Sequence, residues 1–335
     1  MNIYDISKRA GVSIATVSRV LNNSEHVSQK TRQKVLSVMA ENSYVPNAFA
    51  RSLGLNSMKT IGLLCPNAAD PYLAHALSYL EKALRDRQYN CLLSCCGRTL
   101  PARQAGVELL QERHVDGIIL MGSTFVESAP EDNDYILKAA AHMPVFILNA
   151  ALRAENVYCV LCDEEQATKE AAQYLIDTGC KRILYLYHSQ NYNGRKKLNG
   201  YRAGLLSRSL TPDEALIRFV PEDEADVQHV RDLLLRLSEQ GLSFDAVLSS
   251  EDILSVGAVK YANARGLKIP DQFSVIGYNN SVYGLCCEPE LTGVDNRLSA
   301  VCESCAALLL GVLEGKSMPQ VTVFNGNLVR RGSTK

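Results

Sequence analysis

From residue 58 onward, short continuously apolar segments alternate with amphipathic stretches of helical period. TIGLLCPN is followed by PYLAHALSYLEKALRDRQ, YNCLLSCC by RQAGVELLQERH, and DGIILMG by EDNDYILKAAAH and PVFILNA. A strand without polar alternation is buried on both faces, so such runs imply parallel sheets covered by helices on each side. The pattern restarts at NVYCVLCDEEQATKEAAQYLIDTG and continues through RILYLY, RKKLNGYRAGLLSR, DAVLSSEDILSVGAVKYANARG and FSVIGYNN. Two parallel-sheet α/β lobes are therefore expected. Between them lies a cleft outside the carboxyl ends of the strands, where open sheets of this kind take ligands.

The first sixty residues break this pattern. IYDISKRA, GVS and IATVSRVLNN read as helix, tight turn and helix, with Ile3, Ile6, Ala10, Val12, Val17, Val20 and Leu21 spaced to pack against each other. Gly11 gives the turn its permissive backbone and Ser13 suits the N-cap of the second helix. Ser28 suits the cap of a third, whose Val35, Leu36, Val38 and Met39 can close a small core. This all-α segment carries eight Lys and Arg against three acids, a balance of +5, while the remainder carries 27 against 33, or -6. A basic head on an acidic body points to a polyanion at one end only. If the second helix enters a major groove, Ile14, Ala15 and Ser18 reach base edges, with Arg19 one turn further on. Arg19 can hold guanine bidentately, worth ~1–3 kcal/mol of discrimination, while Ile14 and Ala15 read by apolar contact. Ser13, Thr16, Asn22 and Lys30 suit phosphate anchoring, which positions without specifying. In isolation the same stretch could be a helical hairpin that docks on protein.

All eleven cysteines lie outside that head. Cys159 with Cys162 and Cys302 with Cys305 have zinc-ligand spacing, but the first pair lies in an apolar strand-like run and the second in a helical one, where Cys fills space. No metal and no other cofactor is expected. Unpaired thiols suit a reducing compartment, the opening residues lack the apolar core of a signal peptide, and no apolar run approaches the ~18 residues of a membrane span. A cytoplasmic protein without a membrane partner is the expectation. The cysteines have no evident His or Asp partners, His75, His114 and His188 are scattered, and no phosphate-cradling glycine motif occurs, so no catalytic residue and no enzyme is expected. A transport-type binding protein would share the body but not the basic head.

GVSIATVSRVLNNSEHVSQKTRQKVL, followed by PNAFARSL, resembles the lactose-repressor (LacI/GalR) family. The resemblance runs through IGLLCPNAADPY, VDGIILMGS, CDEEQATKEAAQYLIDTGCKRI, SSEDILSVGA, IPDQFSVIGYNN and PELTGV to VRRGST, nearly the whole chain. It implies a helix-turn-helix DNA-binding head at 1–57, with a hinge helix at about 47–53, on a periplasmic-binding-protein-like core at 58–335. The lobes are then discontinuous, the N-lobe at about 60–160 and 290–318 and the C-lobe at about 161–289 and 319–335. It also implies a homodimer, with no coiled-coil tail, on double-stranded operator DNA that is nearly palindromic with a central CpG. Asn47, Ala50, Arg51 and Leu53 of the hinge would enter the minor groove, where a leucine wedge at 53 unstacks a flexible step and kinks the duplex. Gly54 stands where other members carry Lys. Repression is the family's default, relieved or promoted by a small molecule, a sugar or sugar derivative, in the cleft.

Strand ends supply the effector-binding candidates. Asn67, Asp70 and Tyr72 follow the first strand, Ser123 and Thr124 the third and Asn149 the fourth; the second lobe brings Asp163, Tyr192, Arg195, Lys197, Glu251, Asp252 and Asn279. Carboxylates, amides and an aromatic face suit a hydroxylated ligand, although Asp70 and Asp252 suit helix capping equally well. Lys197 stands where the family usually has Arg, with Arg195 two residues earlier, and the two side chains are not interchangeable in bidentate bonding. Asn279 stands where many sugar-binding members carry Asp, and Glu251 where many carry Asn. A charge has moved across the expected cleft, and the family's sugar assignments do not transfer.

Overall fold

The computed structural model describes residues 2–21, 24–43 and 57–335. The expected hinge helix, with Asn47, Ala50, Arg51, Leu53 and Gly54, lies outside these residues, as does Asn22.

The head is three helices: α1 (Ile3–Ala10), α2 (Ile14–Leu21) and α3 (Gln29–Glu41). Asn2 and Asp5 cap α1 reciprocally, and Gly11 ends it with φ +61, a left-handed conformation that glycine adopts without strain. Ser13 Oγ accepts from Thr16 N at 3.2 Å and Ser28 Oγ from Thr31 N at 3.2 Å, so the expected caps form. Ile6, Ala10, Val17, Val20, Val35 and Met39 make the core. Leu36 does not join it. It sits one position off the buried Val35 and Met39 face and is exposed.

The body begins with β1 (Thr60–Cys65), α4 (Pro71–Arg85), β2 (Asn90–Cys95), α5 (Leu100–Glu112), β3 (Gly117–Met121), α6 (Asp134–Ala140), β4 (Val145–Leu148) and β5 (Val157–Cys162). The chain then enters the second lobe with α7 (Glu164–Asp177), β6 (Ile183–Tyr187), α8 (Tyr192–Leu206), β7 (Ile217–Phe219), α9 (Val227–Glu239), β8 (Ala246–Ser249), α10 (Asp252–Arg265), β9 (Ser274–Tyr278), α11 (Val282–Leu285) and β10 (Thr292–Asp295). It returns for α12 (Leu298–Leu313) and β11 (Val321–Phe324), and ends in the second lobe with β12 (Asn327–Val329).

The first sheet has the order β11-β5-β4-β3-β1-β2, all parallel; the second has β12-β10-β9-β8-β6-β7, parallel except for β12. The expected lobe boundaries shift accordingly. Residues 292–295, assigned from sequence to the first lobe, pair with β9 of the second, and 321–324, assigned to the second, pair with β5 of the first. Both returns therefore occur later in the chain than expected, after β10 and after β11, because short strands near crossovers carry no signature of which sheet they join.

Each sheet buries both faces, with alternate residues serving opposite helix layers. Ile61, Leu63 and Cys65 of β1 pack with α4 and α12, and Leu64 packs on the other face with α5 and α6. Leu184 and Leu186 of β6 face α9 and α10, while Ile183 and Tyr185 face α7 and α8. Helices α7 and α8 approach closely: a Cβ on Gly200 would lie 2.2 Å from Glu165 O, and one on Gly204 2.8 Å from Lys169 O. No described helix is long and apolar enough to cross a membrane.

Candidate functional site

In the head, Val17 and Val20 turn α2 inward, which leaves Ser13, Ile14, Ala15 and Arg19 exposed and Thr16 and Ser18 half-exposed. An isoleucine left outside a three-helix core has no packing role there. Lys30 is also exposed at the start of α3. The six side chains expected on α2 and its cap thus lie along the side of that helix turned away from the core.

In the body, an open cleft lies between the carboxyl ends of the two sheets. Its first wall holds Asp70, Tyr72, Ser123, Thr124 and Asn149. Asp70 caps α4, accepting from Leu73 N at 3.0 Å, and Asn149 Nδ2 donates to Tyr72 Oη at 2.6 Å. Asn149 and Asn279 end their strands with φ +64 and +88, left-handed values that asparagine tolerates better than most residues.

The second wall is built on buried charge. The close α7–α8 packing brings Glu164 within 3.7 Å of Lys197 Nζ. That ammonium also donates to Ser250 O at 3.0 Å and lies 3.7 Å above the Tyr278 ring. A second cation and an imidazole complete the setting. Arg98, from the first lobe, pairs across the cleft with Glu222 of the second, and His188 Nε2 lies 3.0 Å from Glu251 Oε1. Burial, reinforced by Lys197 and Arg98, pushes His188 down to about 4. Burial pushes Glu251 up to about 7, with Asp70 and Asp252 adding to it and Lys197 and Arg98 opposing.

Several polar atoms lining this cleft are buried without a hydrogen bond among the described residues: Thr124 Oγ1, Glu164 Oε2, Asn193 Oδ1, Ser250 Oγ and Asn296 Oδ1. Buried polar groups are ordinarily satisfied, so this concentration marks a place where something else supplies the partners.

Of the residues expected at the cleft, Asp70, Tyr72, Ser123, Asn149, Lys197, Glu251 and Asn279 line it together. Asp252 lies behind the wall, receiving Ser281 N at 2.6 Å. Four others do not line it either. Asn67 accepts from Ala69 N within its own turn and Asp163 caps α7. Tyr192 packs against the apolar core of the first lobe, and Arg195 points outward to Gln190 O. Arg98, Glu164, His188, Asn193, Ser250 and Asn296 line the cleft and went unnoticed as ligand contacts. Most had a usable signal, since His188, Ser250 and Asn296 come directly after strands β6, β8 and β10, and Arg98 lies in the turn that follows β2.

The cysteine pairs are packing groups. Cys302 and Cys305 sit within the α12 core and Cys159 within the opposite layer, with burial raising each thiol. No cluster of three or more His, Cys, Asp or Glu among the described residues is arranged to hold a metal.

A helix-turn-helix head and a bilobal α/β body with a polar interlobe cleft define a DNA-binding regulator with a ligand-binding domain. Residues 2–47 match the model of bacterial regulatory proteins of the lacI family, and residues 172–334 that of the periplasmic binding protein-like domain. The chain is 46% identical to an HTH-type transcriptional regulator of Lachnoclostridium phytofermentans, over 100% of this chain and 99% of that protein. It is 30% identical to the HTH-type transcriptional regulator GalR of Escherichia coli, over 99% and 95% of the two chains. It superimposes on the Lac repressor dimer bound to operator and the anti-inducer ONPF with a TM-score of 0.89, at 23% identity, covering 100% of this chain and 99% of that one. A complex of the transcriptional regulator CelR with cellobiose follows at a TM-score of 0.72 and 26% identity, over 99% of each chain. The chain belongs to the lacI family and is a transcriptional regulator, not an enzyme.

Proposed function

We propose that the protein is a homodimeric repressor whose operator affinity is set by a small molecule, a sugar or sugar derivative, bound between the two lobes. The observation that carries the reading is the set of buried, unpartnered polar atoms in the interlobe cleft. A fold that leaves them unmet within one cavity is built to have them met by a ligand. The exposed side of α2 supports the DNA half of the reading, with Arg19 on guanine, Ile14 and Ala15 on thymine methyl groups, Ser18 on a base edge, and Ser13, Thr16, Asn22 and Lys30 on phosphates. Asn47, Ala50, Arg51 and Leu53 are assigned to the minor groove at a central CpG, on the strength of the family resemblance. Exposed Tyr79, Val282, Tyr283 and Leu285 line a second groove, along α4 and α11, that suits burial against another copy of the chain. Acting on operators places the protein in the cytoplasm.

The ligand acts by favouring one angle between the lobes and hence one spacing of the paired heads; such coupling is typically worth ~1–3 kcal/mol and is reciprocal. The test is fluorescence anisotropy on a palindromic duplex with a central CpG against the same duplex with a central GpC, at moderate salt. A preference of about tenfold or more, lost in Leu53→Ala, is expected. Equal, salt-sensitive binding to both would leave only sequence-blind phosphate contacts and overturn the assignment of the wedge.

A further inference from the structure

Resting on the reading of the cleft as an effector site, we propose that the effector is a polyhydroxylated amine of the amino-sugar class, its ammonium held between Asp70 and Glu251, and not a phosphorylated or carboxylated sugar. The hydrogen-bonding groups still unspent in the cleft decide between these ligands.

The cations are spent. Lys197 Nζ has Ser250 O, Glu164 and the Tyr278 ring around it, and Arg98 is paired with Glu222. What remains is acceptors. Asn193 Oδ1, Asn296 Oδ1 and Glu164 Oε2 are buried and receive no hydrogen bond among the described residues, Glu164 Oε2 lying 3.7 Å from Lys197 Nζ. Asn296 spends its Nδ2 on Asn279 Oδ1 at 3.1 Å, so the oxygen is the part left over. Asp70 uses Oδ1 to cap α4, and Oδ2 has no hydrogen bond among the described residues. Glu251 precedes α10 without a side-chain cap bond, and its Oε1 lies 3.0 Å from His188 Nε2.

An anionic ligand would enter a site with three carboxylates, where among the described residues both cations already face a carboxylate, Lys197 that of Glu164 and Arg98 that of Glu222. A donor-rich ligand meets every orphan, and a cation does more. His188, held far below its ordinary range by burial, Lys197 and Arg98, is a neutral imidazole near pH 7 and no counter-charge for Glu251. Asp70, facing from the first lobe, disfavours the charge on Glu251 further. A ligand ammonium between the two carboxylates relieves that repulsion and ties the lobes together.

The experiment is calorimetric and thermal-shift titration of the full chain with matched sets in the gluco, galacto and manno series, each comprising the free 2-amino sugar, its N-acetyl derivative, the parent sugar and the parent 6-phosphate. At least one free amine is expected to bind, at least about tenfold more tightly than its parent and N-acetyl forms. That preference is expected to be lost in Glu251→Gln and weakened in Asp70→Asn, which keeps the cap oxygen. A parent sugar or 6-phosphate binding more tightly than its amine, and losing affinity in Tyr72→Ala, overturns the amine and leaves the cleft standing. Amine binding unchanged in both carboxylate variants also overturns it. No binding by any set, from protein that still selects the CpG duplex, overturns both the amine and the cleft reading.

Discussion

The head and the cleft reach function by opposite routes. In the head, the side chains assigned to DNA are those its own core leaves unused: Val17 and Val20 point in, and Ile14, Ala15 and Arg19 are left on the surface. In the cleft, the side chains are buried by the fold and left incompletely bonded, so Glu164, Ser250 and Asn296 are inside yet unsatisfied. The head can change its recognition residues at little cost in stability. The cleft cannot, because its residues are also part of the packing. This contrast predicts which substitutions unfold the protein and which only change what it binds.

The largest effect is expected at Lys197. Lys197→Met leaves Glu164 buried opposite an apolar side chain and should cost ~3–5 kcal/mol of stability, read by denaturant unfolding. Adding Glu164→Gln should recover much of that. A Lys197→Met protein as stable as wild type would mean that the second wall is not built on the pair, and the contrast would fail. Arg19→Ala should cost ~1–3 kcal/mol of discrimination at one guanine in each half-site and leave the melting temperature unchanged, as shown by anisotropy on single-base operator variants. Equal weakening on all sequences would make Arg19 a phosphate anchor. Ser28→Ala removes the cap of α3 and should destabilise the head by ~1 kcal/mol while the body is unaffected, which hydrogen exchange on the two parts would resolve.

The smallest effect sharpens the comparison by pH. Glu251 has its ordinary 4.5 raised to about 7, so the stability it contributes is complete below 4.5 and is lost as pH rises through about 7. His188 has the reverse sign: lowered from 6.5 to about 4, its contribution is complete above 6.5 and is lost as pH falls through about 4. Glu251→Gln should therefore gain in melting temperature relative to wild type as pH rises from about 5 to about 8. A constant difference across that range would show that the carboxyl titrates normally.

The same contrast explains what was legible in the sequence. The head could be read almost residue by residue, because helical period and caps sort inward from outward positions locally; Leu36 alone among the expected core residues was misplaced. The two sheets were equally legible from their uninterrupted apolar runs, and so were Asp70, Tyr72, Ser123, Asn149, Lys197, Glu251 and Asn279, which stand just past strands or on the helices that follow. Glu164 was not. It opens α7 just past β5, but its role depends on a lysine more than thirty positions away, brought near by the glycines of α8. Asn296 was hidden for a topological reason, since the strand before it was assigned to the wrong lobe. Tyr192 and Arg195 failed because a helix beside a cleft offers only one of its faces to it.

The order of strands has a consequence for how the molecule comes into being. The first sheet takes its edge strand from Val321–Phe324 and the second from Asn327–Val329, and Ser333 bonds both Thr292 N and Val275 O. Neither lobe is complete until residues beyond 320 have left the ribosome, although most of the first lobe has emerged long before. During synthesis the three-helix head is the one part whose core is whole early, so a nascent chain carries a finished DNA reader before it has anywhere to hold the molecule that would govern it.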